Sequence, residues 1–147
     1  WPLIRAAVPD AHFTIVGQRP HRRLNALRQD SSITLTGRVE DVRPFIADAA
    51  VYVAPLRMGG GTRLKLLEAM ALGKPVVATS LGAEGYPITD GQELVLADSP
   101  AEFARAVVTL LQSPGRCSAI GETARAFVER RYDWRVIVPA MEQVYAT

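Results

Sequence analysis

Cysteine is almost absent: Cys117 is the only one in 147 residues, and only two histidines accompany it. That excludes an internal disulfide and leaves no cysteine–histidine set for a metal, so a reducing, cytoplasmic setting is the expectation. No apolar run approaches the roughly 20 residues that a membrane-spanning helix needs, and nothing reads as a charged-then-apolar leader. Charge of one sign is also lacking. The 17 basic and 15 acidic residues are scattered and sum to +2, so no polybasic arm advertises nucleic acid or an anionic membrane as partner. Internal repeats, low-complexity tracts and long linkers are missing too.

What remains is a globular composition, 48% hydrophobic and 22% charged, of a size that can bury one core. The expectation is a single domain over residues 1–147. The first residue is Trp1, and residues 2–8 already read as a helix, so the chain reads as a piece of a longer protein.

Short β-rich apolar runs alternate with helix-period segments, which is the signature of βαβ units around a parallel sheet. The expected strands are residues 12–16, 33–36, 51–54, 76–79 and 94–97. Their nearly continuous apolar character suits a sheet covered on both faces. Crossover helices are expected at 22–29, 42–49 and 63–72. After the fifth strand the pattern turns helical: Ser99-Pro100-Ala101-Glu102 is a capping box with proline at the first helical position. That helix should run to about 112, the next from Ser113-Pro114 to about 131. Asp133 should cap a last helix with apolar Val136, Ile137, Val144 and Tyr145, kinked at Pro139.

The most informative stretch runs from Ala54 through Gly59-Gly60-Gly61-Thr62-Arg63-Leu64-Lys65 to Glu68 and Met70. It reads strand, glycine loop, helix. Three glycines make sense where backbone must approach something closely or adopt positive φ. Thr62 can cap the helix, whose free N–H groups then point back into the loop. Such a helix start favours an anion. Arg63 and Lys65 in its first turn oppose the helix dipole, so an anionic ligand would account for them better than local stability does. The leucines around them suggest a largely buried helix, in which Glu68 needs a partner, either Lys65 or ligand hydroxyls. A diphosphate on the loop with a diol one turn deeper fits a nucleotide. The residues alone support equally a plain turn with a Lys65–Glu68 pair. Neither G-x-x-x-x-G-K-[ST] nor G-x-G-x-x-G is present: Gly73-Lys74 is followed by Pro75, and Gly17 by Gln18-Arg19-Pro20.

The run from Gly61-Thr62-Arg63-Leu64-Lys65 through Glu68-Ala69-Met70 and Gly73-Lys74-Pro75-Val76-Val77 to Thr79 resembles the C-terminal domain of retaining GT-B glycosyltransferases of the family 4, or group 1, type. Thr36-Gly37-Arg38-Val39, Gly82-Ala83-Glu84-Gly85 and Tyr132-Asp133-Trp134 agree with it. The resemblance implies a Rossmann-like, doubly wound parallel α/β sheet with helices on both faces. It implies binding of a nucleoside-diphosphate sugar for retaining transfer to a polysaccharide, lipid-linked or other acceptor, in cell-envelope or polysaccharide biosynthesis. Glu68 would be the second glutamate of the E-x7-E motif and hold the ribose. Gly60, Gly61 and Thr62 would cradle the diphosphate, and Arg38 and Val39 would lie at the base. Lys65 and Arg63 would stabilise the leaving group.

The resemblance also implies no metal and no cofactor beyond the donor substrate, an acceptor held by a missing N-terminal domain, and possible peripheral membrane association of the longer protein. One departure stands out: Gly60 occupies the place of the first glutamate. A second is that the family's first strand and its basic loop would precede Trp1. Because that strand is central, a gap is expected between the strands at 12–16 and 51–54, leaving a fragment that self-associates or is inactive alone. A GT-B nucleotide-sugar epimerase and a non-catalytic nucleotide-binding scaffold are the competing functions. His12, His21, Cys117, Glu84 and Asp90 are given no site role, and Trp134 is expected to dock its helix or sit in the core.

Overall fold

A computed structural model describes residues 1–18 and 22–145. The chain opens with helix α1 (Pro2–Ala7) and then alternates strand and helix: β1 (Phe13–Val16), β2 (Ile33–Gly37), α2 (Arg43–Asp48), β3 (Tyr52–Ala54), α3 (Leu64–Ala71), β4 (Val76–Ala78) and β5 (Val95–Leu96). Three helices follow: α4 (Pro100–Leu111), α5 (Pro114–Arg131) and α6 (Trp134–Tyr145). All strand pairings are parallel, as the βαβ alternation requires.

The connection Arg22–Gln29 is a 3₁₀ helix rather than the expected α-helical crossover. Leu24 and Leu27, spaced by three, are its half-buried apolar residues, a spacing that suits three residues per turn. His21 and the Arg19-Pro20 dipeptide lie outside the described residues.

Two separate sheets form: β1 pairs with β2, and β3, β4 and β5 pair in that order. The break falls between β1 and β3, where the family resemblance implied a gap. In the three-stranded sheet β4 is central, and Val76, Val77 and Ala78 are fully buried. Val76 and Ala78 face one cluster with Leu66, Met70, Phe127 and Val128 of α3 and α5. Val77, pointing the other way, joins Ile4, Val107 and Leu110 of α1 and α4. Alternation along one strand thus feeds two helical layers, giving an α/β/α arrangement.

The capping box of α4 is present: Ser99 Oγ accepts from the Glu102 amide at 3.2 Å and Glu102 reaches back to the Ser99 amide at 3.2 Å. Asp133 caps α6, accepting the Arg135 amide at 2.8 Å. α6 buries no residue, however. Trp134, expected to be a docking residue, is 74% exposed. Among the described residues no helix is long and apolar enough to cross a membrane.

Candidate functional site

The carboxyl ends of β3, β4 and β5 converge on an open cleft of about 430 Å³ lined by Leu56, Arg57, Thr79, Leu81, Asp98 and Pro100. This is the edge at which open parallel sheets take ligands. The chain turns sharply as it leaves β3, the Leu56 amide donating to Ala54 O at 2.9 Å. The Thr79 hydroxyl then donates to Leu56 O at 2.6 Å while accepting the Gly82 amide at 3.0 Å. Gly82 packs so closely that a Cβ there would lie 2.7 Å from Ala54 O. The base of the loop is therefore fixed by backbone contacts and by the Thr79 hydroxyl.

Beyond it, Gly59, Gly60, Gly61 and Thr62 are all exposed. Gly59 and Gly61 have φ of +122° and +91°, which side chains other than hydrogen rarely allow. Gly60 does not. The loop leads into α3 at Arg63, whose side chain makes no capping bond; neither does Thr62, so the expected threonine cap is replaced by an uncapped helix start. No side chain caps the N–H groups at this start, and Lys65 is exposed in the first turn. Arg63 precedes that turn. Its guanidinium folds back onto the loop, donating to Gly60 O at 2.9 Å and Gly59 O at 3.0 Å.

Glu68 is not buried, contrary to the expected all-round apolar helix. Only Leu66, Ala69 and Met70 of α3 are buried, and Leu64 is 60% exposed. Lys65 and Glu68 form no ion pair among the described residues, whose salt bridges are Arg43–Asp41, Arg125–Glu129 and Arg135–Asp133. The Glu68 charge instead acts on Arg43 and Tyr52. Hydrogen bonds to Asp41 raise the Arg43 pKa first, with Glu68 adding to the rise. Burial raises the Tyr52 pKa, and Glu68 adds to that as well.

Arg43 opens α2 directly after the β2–α2 turn that holds exposed Arg38 and half-buried Val39. Gly37 enters that turn at φ +72°. The Glu68 charge thus acts on Arg43 beyond the end of this turn, while the glycine loop and Lys65 lie at the start of α3. None of these eight candidates lines the cleft; Gly60, Gly61, Thr62, Lys65, Glu68 and Arg38 are exposed, and Val39 and Arg63 are half-buried.

The sequence reading gave no role to Leu81, Tyr86 and Asp98, and took Thr79 and Gly82 only as part of the resemblance. Asp98 accepts both the amide and the hydroxyl of Ser80 at 2.7 Å, and these bonds hold its pKa below the usual carboxylate value. Its place just after β5 was the available signal. Tyr86 carries a buried hydroxyl without a hydrogen-bond partner. Burial and the neighbouring Tyr132 raise its pKa, and Arg63 opposes the rise. Asp90, read as a solvated loop acid, accepts the Leu96 amide at 2.7 Å and covers the free edge of β5.

Residues 1–113 match the family described as glycosyl transferases group 1. A phosphatidyl-myo-inositol mannosyltransferase of Mycobacterium leprae is 34% identical over 99% of this chain and 40% of its own length. The chain spans about two fifths of the curated relatives it matches first. Among solved structures, the Anabaena HepE protein in complex with UDP superposes with a TM-score of 0.81 at 18% identity, over 99% of this chain and 45% of that one. The C-terminal domain of a group 1 glycosyl transferase from Francisella tularensis does so with a TM-score of 0.75 at 21% identity, over 90% of this chain and 77% of that one.

Proposed function

The chain belongs to the glycosyl transferases group 1 family, and from that premise we propose that residues 1–147 form the donor-binding domain of an enzyme that transfers a sugar, with retention, from a nucleoside diphosphate to a carbohydrate or lipid-linked acceptor. The observation that carries this reading is the uncapped start of α3, emerging from an exposed triple-glycine loop with Lys65 beside it. Free amides and a cation at one point make a site for a diphosphate.

The diphosphate lies on the amides of Gly61 and Thr62, and the carboxylate of Glu68, one turn along α3, accepts from the ribose hydroxyls. Arg38 and Val39 border the base. As the glycosidic bond breaks, negative charge gathers on the leaving diphosphate. Lys65 and the helix start stand at that point, so little reorganisation is needed at the moment of reaction, while the Arg63 guanidinium stays turned onto the loop carbonyls rather than toward the ligand. With that charge met by protein groups, transfer needs no metal in this reading, and a chelator should leave the rate unchanged. The acceptor and the remaining basic groups come from the parts of the relatives that this chain does not span.

Calorimetric titration of the intact protein with GDP and with UDP, repeated for Glu68→Ala, tests the assignment. Loss of the charge-assisted bonds to the diol should weaken binding about tenfold. Equal affinity of the two forms would remove Glu68 from the site.

A further inference from the structure

We infer that Arg63 is a positioning residue, which holds the glycine loop in its ligand-receiving shape by tying Gly59 and Gly60 to Leu81, and that its guanidinium does not itself touch the donor. The inference rests on the nucleotide-sugar reading for its binding arm alone.

Among the described residues, no other hydrogen bond supports the loop beyond its base at Leu56. A Cβ built on Gly59, Gly60 or Gly61 would meet nothing within 4 Å, so no neighbouring group packs against these residues at the place where a side chain would stand. Among the described residues, the hydrogen bonds that reach residues 57–62 all come from Arg63, from Nη1 to Gly60 O at 2.9 Å and from Nη2 to Gly59 O at 3.0 Å. Three consecutive glycines sample a wide range of backbone conformations, so an untethered loop would spend much of its time away from any one shape.

The other end of the tether is firm. Nε and Nη2 of the same guanidinium both lie 3.4 Å from Leu81 O. Leu81 belongs to a turn fixed by the Thr79 hydroxyl and by the close packing of Gly82 on Ala54. The planar fork of arginine thus spans two segments 18 residues apart, with its donors directed at carbonyl oxygens. A lysine ammonium, a single point on a flexible stem, cannot bridge the same three acceptors. Lys65, exposed and without such bonds, is left as the cation for the ligand.

The test measures amide hydrogen exchange over residues 57–62 in the intact protein and in its Arg63→Met and Arg63→Lys variants, together with KM and kcat for the donor. Without ligand, loop exchange should rise about tenfold in both variants, the effect expected from losing charge-assisted hydrogen bonds, while α3 and β4 stay as protected as before. The donor KM should rise by a similar factor because only a fraction of loops are competent, and kcat at saturation should change by less than about twofold. Lysine should not rescue.

Unchanged loop exchange in the methionine variant would overturn the inference. So would recovery of KM by lysine, which would mean that the charge and not the fork is needed. Should the unmutated protein bind neither GDP nor UDP, the donor reading fails, and the exchange arm still decides whether the tether exists.

Discussion

Gly121 lies so close to Gly73 that a methyl group added to it would stand 2.1 Å from the Gly73 carbonyl oxygen. Gly121 is buried in the middle of α5, and Gly73 ends α3 with φ +67°. The obstacle is backbone, which cannot swing aside as a side chain can, so Gly121→Ala must push α5 away from the α3–β4 turn. Overpacking of this kind costs about 1–3 kcal/mol. Urea denaturation should show a lowered midpoint with little change in slope; an unshifted midpoint would mean that the helices do not meet there.

Thr79 makes a second prediction. Its hydroxyl serves two backbone groups of a buried turn, Leu56 O and the Gly82 amide. Valine has the same shape but leaves both unpaired, at a cost of about 2 kcal/mol. Serine keeps the hydroxyl. Thermal melting should therefore rank Thr79→Val well below Thr79→Ser, and equal melting of the two would place water rather than the hydroxyl in that turn.

Features set by neighbours in the chain were legible: the Ser99–Glu102 box, Pro100 and Pro114 at helix starts, the buried Val76–Ala78 run and the Asp133 cap are all local pairings of residue and conformation. The location of the glycine loop was legible for the same reason. Its internal arrangement was not. A threonine next to a helix start reads as a cap, but Arg63, drawn to carbonyls of its own loop and of Leu81, takes the cap position instead. The leucines of this segment suggested a largely buried helix, yet α5 and β4 cover only the face of Leu66, Ala69 and Met70, and Leu64 is 60% exposed. The contact of Gly121 with Gly73 joins residues too distant for any periodicity to reveal. Trp134 failed for the opposite reason: an apolar stripe predicts a docked helix, and α6 buries no residue of its own.

The start of α6 should be sensitive to acid. Hydrogen bonds to Arg135, first from its side chain and then from its amide, lower the Asp133 pKa from 3.8 to about 2. A depressed carboxyl pKa contributes stability that is complete above the unfolded value and is lost as pH falls through the folded one. The window is thus about pH 4 down to about 2. Trp134 adjoins the cap, so the fluorescence difference between the protein and Asp133→Asn should vanish across that window. A difference that persists at pH 2 would show that Asp133 does not hold the helix start through its charge.

The three loop glycines should not be equivalent. Gly59 and Gly61 adopt φ of +122° and +91°, where a side chain is strained by about 1–3 kcal/mol. Gly60 lies outside that region, and a Cβ on it meets nothing within 4 Å. Gly60→Glu should therefore melt like the unmutated protein, within about 0.5 kcal/mol, whereas Gly61→Ala should not. The new carboxylate would occupy the place of the first glutamate of the E-x7-E motif, eight residues before Glu68. If that place faces the transferred sugar, the preference for a nucleoside-diphosphate sugar over the bare diphosphate should grow in Gly60→Glu while affinity for the diphosphate stays level. Calorimetry with both ligands separates the two effects. An unaltered preference would mean that position 60 faces away from the sugar, and the transferred group would then have to be held from elsewhere.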